Sequence, residues 1–164
     1  MTPDLDALRS GAAEYDRAAA DIRDAVAAAA DAGEAMSRSV DMLKATFSTY
    51  SWVGIYLVEG NELVLGPFRG APSPHARIPL GRGICGAAAT AKATIVVDDV
   101  HSDDRYLACS VDTQSEIVVP IMSGPDVFGE IDIDSDAPAA FGARDQRMLE
   151  DIAAALAARL AVRS

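Results

Sequence analysis

Cysteine is scarce: Cys85 and Cys109 are the only two in 164 residues. Two thiols cannot build a disulfide scaffold, and their separation fits no common zinc-finger pattern, so redox or nucleophilic use stays open. Long hydrophobic runs are missing as well. No segment approaches the ~20 apolar residues of a membrane helix, and the N-terminal "MTPDLDALRS" has no basic run leading into an apolar core. The expectation is a cytoplasmic protein. Basic residues number 14 against 25 acidic ones, a net charge of −11, which repels nucleic acid and anionic membranes as partners. Aromatics make up 5% of the chain, with a single Trp, yet half of all residues are hydrophobic, enough for one folded domain and too few residues for two comfortable ones.

Apolar residues are spaced for two N-terminal helices. Thr2-Pro3-Asp4 reads as a helix start, and Leu5, Leu8, Ala12, Tyr15, Ala19, Ile22 and Val26 recur at steps of 3 and 4, which predicts a helix ending near Gly33. Met36, Val40, Leu43 and Phe47 predict a second, shorter one. "SWVGIYLVEGNELVLGPFRG" then changes to strand character around a Gly60-Asn61 hairpin turn. The proline-rich "GAPSPHARIPLGRG" reads as loop or edge, "ICGAAATAKA" as a short helix, and "TIVVDD" as a strand. "SEIVVPIMS" and "VFGEIDIDS" flank a Gly124-Pro125-Asp126 turn, and a closing helix from Asp145 points Leu149, Ile152, Leu156 and Leu160 inward. Helices bracketing hairpin-linked strands predict an α+β domain, with a central antiparallel sheet and the N- and C-terminal helices on one of its faces. Residues 1–47 form a helical pair within that domain, a candidate homodimer interface, and 48–164 its remainder.

Strand alternation sends Glu130, Asp132 and Asp134 to one face and Ile131 and Ile133 to the other. The acids are either a solvated sheet face or a site for a cation, a metal or the ammonium of a small molecule. No His or calcium-loop motif lies near them in sequence, which argues against a metal. Trp52 and Tyr56 share a strand face; if the acids lie on that same face, the pair walls a pocket with an anionic floor, suited to a compact zwitterion. Cys85 follows a glycine turn at a helix start. There it is either a small buried hydrophobe or a thiol whose ionisation the helix N-terminus favours. Cys109 lies in a polar segment that leads, seven residues later, to Glu116 at the mouth of a strand.

Taken together, "SWVGIYL", "ELVLGPFRG", "ARIPLGRGICG", "VVDDVH", "LACS", "SEIVVPI" and "GEIDIDS" resemble, in order and spacing, the free methionine-(R)-sulfoxide reductases, which are built on a GAF domain. The resemblance covers roughly Ser51 to Asp145. It implies a thiol enzyme that reduces free methionine sulfoxide. Cys109 matches the nucleophile that attacks the sulfoxide sulfur and is left as a sulfenic acid. Glu116, Asp132 and Asp134 match pocket acids that bind the substrate ammonium and protonate the departing oxygen, and Trp52 and Tyr56 match an aromatic wall. No organic cofactor or metal is implied, and electrons come from thioredoxin or another dithiol.

Two departures from the family stand out. His75 occupies the position of a cysteine that can resolve the sulfenic acid, which leaves Cys85 as the internal thiol for a disulfide with Cys109. The segment "HSDDRYLACSVD" differs from the usual "FPGHIACD" type of run, with Ser110 where an acid is common. An alternative therefore stands beside the reductase: a sensory GAF domain that binds a small ligand without reducing it.

Overall fold

The computed structural model describes residues 4–108 and 110–161. Thr2, Pro3 and Cys109 lie outside the described residues.

Helix α1 spans Leu5–Ala28 and α2 spans Ala32–Thr46. The break comes earlier than the expected end near Gly33, which instead sits in the first turn of α2. The cause is local and tertiary together. The Asp31 side chain accepts from the Glu34 amide at 2.8 Å, and Glu34 reaches back to the Ala30 amide at 2.5 Å, a reciprocal cap that starts a new helix. Arg159, from the far end of the chain, donates to the carbonyls of Val26, Ala27 and Ala29 and so closes off α1.

Strands β1 (Trp52–Glu59) and β2 (Glu62–Arg69) form the expected hairpin, with Gly60 at φ 60° in its turn. Next come β3 (Arg77–Pro79), helix α3 (Gly83–Ala91), β4 (Ile95–Val97), the hairpin β5 (Ser115–Ser123) and β6 (Asp126–Ser135), and α4 (Ala143–Ala161). All pairings are antiparallel, in the order β3-β2-β1-β6-β5-β4. The long strands occupy the middle, and the two edges are three residues each.

Alternation divides the sheet into two chemically different faces. Val53, Ile55, Ile117, Val119, Ile131 and Ile133 pack against α1, α2 and α4, whose Ile22, Val40, Leu43, Leu149, Ile152 and Leu156 complete the main core. The opposite face carries Trp52, Tyr56, Leu63 and Val118 beneath α3, a smaller apolar cluster that surrounds the acids of β6. The α+β architecture with the terminal helices on one face is as the sequence predicts. No helix among the described residues is long and apolar enough to cross a membrane.

Candidate active site

The register places the rings and acids on one face. Trp52 lies opposite Asp134, Gly54 opposite Asp132 and Tyr56 opposite Glu130, while on the other side of β6 Glu116 faces Asp134. The condition set by the sequence, that aromatics and carboxylates share a face, is met. That face is not solvated: Glu130 is 0%, Asp132 2%, Asp134 3% and Glu116 5% exposed.

Glycines seat the indole. A Cβ on Gly54 would stand 2.2 Å from Trp52 Cη2, and one on Gly70, at φ 126°, would stand 2.6 Å from Cδ1. The ring therefore lies where two side chains are missing, fixed by Nε1 donating to the Ala71 carbonyl at 3.0 Å and by stacking on Phe68. Tyr56 donates to the His75 carbonyl at 2.8 Å, and His75 Nε2 lies 3.1 Å from the Ala108 carbonyl. These bonds tether the segment that enters Cys109 to the centre of the sheet.

Burial governs the electrostatics. Desolvation, with Asp132 nearby, pushes Glu130 well above the usual carboxylate range. Asp134 is raised by burial, then by Asp132 and Asp136; Asp132 is raised by burial, partly offset by hydrogen bonding to Glu116 and Cys85. On this face burial favours the neutral form of Glu130, Asp132 and Asp134 over the charged one. Cys85, in the first turn of α3, has its Sγ 3.9 Å from Glu116 Oε1. Its thiol is pushed up by burial first and then by Asp132, Glu130 and Glu116. Cys85 is buried, at 5% exposure. Desolvation and the three acids oppose ionisation of this thiol, against the partial positive charge of the helix N-terminus.

Two cavities open along this face. One of about 10 Å³ is lined by Tyr56, His75, Cys85, Leu107, Glu116 and Asp132, among others, and has room for about one water. The second, about 150 Å³, is lined by Ser51, Trp52, Ala71, Ser73, Ser110, Asp112, Thr113, Asp134 and Asp136. Residues on both sides of Cys109 thus contribute, Leu107 to the first and Ser110 to the second. The expected set is divided between them: Tyr56, Cys85, Glu116 and Asp132 in one, Trp52 and Asp134 in the other. Asp136, Asp112 and Ser73 were not among the residues picked from sequence. Continuing the alternation of "IDIDSD" by one step would have found Asp136; nothing marked Asp112 or Ser73. Cys85 Sγ and one carboxylate oxygen each from Glu116 and Asp132 all lie within 4.8 Å of one another, a grouping that the absence of nearby histidines in sequence argued against.

The GAF domain family matches residues 31–160. The chain is 40% identical over 106 residues to the free methionine-R-sulfoxide reductase of Escherichia coli, covering 65% of this chain and 64% of that protein, just under two thirds of its length. The solved structure of the Neisseria meningitidis free methionine-R-sulfoxide reductase in complex with its substrate superposes with a TM-score of 0.87 at 38% identity, covering 92% of this chain and 90% of that one. The type II free methionine-R-sulfoxide reductase of Thermoplasma acidophilum superposes with a TM-score of 0.76 at 41% identity, over 79% of this chain and 92% of the other.

Proposed function

Because this chain belongs to the free methionine-(R)-sulfoxide reductase family of GAF domains, we propose that it reduces free L-methionine-(R)-sulfoxide to methionine with Cys109 as nucleophile. The observation that carries this reading is the burial of Glu116, Asp132 and Asp134 on the sheet face shared with Trp52 and Tyr56. A sulfoxide oxygen is a poor leaving group until protonated, and carboxyls raised by burial keep their protons to higher pH than exposed ones.

In the proposed cycle the Cys109 thiolate attacks the substrate sulfur while a buried carboxyl protonates the oxygen. The sulfur–sulfur bond so formed breaks as the protonated oxygen passes from the substrate sulfur to the Cys109 sulfur, which leaves a sulfenic acid there and releases methionine reduced by two electrons. Cys85 then attacks the Cys109 sulfur, expelling water and closing a disulfide; its proton has an acceptor in Glu116 at 3.9 Å. Thioredoxin or another dithiol reopens the disulfide by exchange and carries off its oxidising equivalents. The acids also receive the substrate ammonium, and the indole of Trp52 packs against the apolar arm. We further propose that residues 1–47 belong to the same domain as 48–164, that the N-terminal helical pair is a homodimer interface, and that the protein works in the cytoplasm.

The test supplies thioredoxin, thioredoxin reductase and NADPH with each diastereomer of free methionine sulfoxide. NADPH loss with the R form alone, abolished in Cys109→Ser, is the expected result. Equal turnover of both forms, or substantial activity in Cys109→Ser, would overturn the assignment.

A further inference from the structure

We propose that Cys85, Glu116 and Asp132 form a site for one thiophilic divalent cation of the zinc class, and that the cation excludes the substrate while it is seated. The exclusion clause rests on the function proposed above; the site itself does not.

Three donors from three elements, α3, β5 and β6, converge on one point, with Sγ and Oε1 3.9 Å apart and all three ligand atoms within 4.8 Å. Tetrahedral zinc with bonds of about 2.3 Å to sulfur and 2.0 Å to oxygen sets sulfur and oxygen about 3.5 Å apart, so Cys85 and Glu116 need to close by only about 0.4 Å and the pairs with Asp132 by no more than about 1.5 Å. A second observation points to a missing ligand. Asp132 Oδ1 is buried and has no hydrogen-bond partner among the described residues, although the carboxylate lines the cavity. An orphaned buried carboxylate oxygen costs stability unless something positive or hydrogen-donating meets it. The cavity is the size of one water, which suits a single ion held among the three donors.

The donor set selects the cation. Magnesium and calcium require six or more oxygen ligands, whereas one thiolate with two carboxylates suits a borderline-soft ion with four. Substrate and ion would then compete for Glu116 and Asp132, and metal stress would stop the reductase by occupying its proton donors.

Cobalt(II) reports on such a site directly. In Cys109→Ser, Cys85 is the only thiol, so titration of the full-length variant with Co²⁺ should give one equivalent of thiolate-to-cobalt charge-transfer absorption. That absorption should be absent when Cys85→Ser is added, and Asp132→Asn should weaken Co²⁺ binding at least about tenfold. Zn²⁺ should bleach it by displacement. No charge-transfer band, or a band of unchanged affinity in Asp132→Asn, overturns the site. Because Cys109→Ser does not turn over, free methionine-(R)-sulfoxide can be added at saturation and should also bleach the band. A band that persists there leaves the metal site standing and overturns its competition with substrate.

Discussion

At the scale of single residues, the two glycines under Trp52 matter as much as the indole they seat. Gly54→Ala would drive a methyl group into the ring, where its Cβ comes within 2.2 Å of Cη2, so the indole must leave its seat. The expected outcome is a fall in kcat/KM of at least about tenfold, with the emission of the chain's single Trp shifting to the red as the ring becomes wetter. Unchanged emission would show the ring still seated. Cys85 makes a different prediction. Its thiol lies above the ordinary range because burial and three neighbouring acids resist a negative charge. Disulfide closure after one turnover, followed by quenched-flow mass spectrometry, should therefore accelerate as pH rises through and beyond the usual thiol range. A rate already flat at neutral pH would mean that Cys85 is not the attacking group.

Among the elements, α4 ties the helical layer together. Asp145 in its first turn accepts from Tyr50 at 2.6 Å, from Tyr15 of α1 at 3.1 Å and from the Gly142 amide at 2.9 Å, while Arg159 in its last turn caps α1. Tyr50→Phe removes the most buried of these bonds and should cost about 1–3 kcal/mol in denaturant unfolding, with activity retained. A loss below ~0.5 kcal/mol would make the bond incidental. The hairpins and α4 were legible in sequence because glycine turns and apolar periodicity are local. The α1–α2 joint was only half legible. Asp31 and Glu34 form a capping pair that can be read from the chain, but the Arg159 guanidinium that ends α1 comes from 130 residues away in sequence, and no local pattern announces it.

At the scale of the whole molecule, stability and chemistry are linked through protons. Glu130 is fully buried and both its oxygens lack partners among the described residues. Its raised pKa means that the folded state holds a proton which the unfolded chain releases near pH 4. The resulting stability is full below the unfolded value and is lost as pH rises toward the folded one. Asp134 and Asp132 act in the same direction, while the lowered Asp99 and Asp103 act the opposite way only through the acid range, their contribution being complete above it. Tm should decline from about pH 4 toward pH 8, and Glu130→Gln should raise Tm at pH 8 more than at pH 4. An equal change at both pH values would show that Glu130 is not the linked group. The sequence disclosed which acids share a face but not that the face is buried, since burial depends on how α3 and Leu107 pack over it.

The sheet ends at each side in a strand of only three residues, β3 with its Pro79 and β4. A neighbouring copy in a crowded solution meets edge strands of only three residues, one of them carrying a proline, which is a short template for cross-molecular strand exchange. Of the four long strands, β1 and β6 are enclosed between long partners on both sides, while β2 and β5 are covered on their outer sides over three residues each.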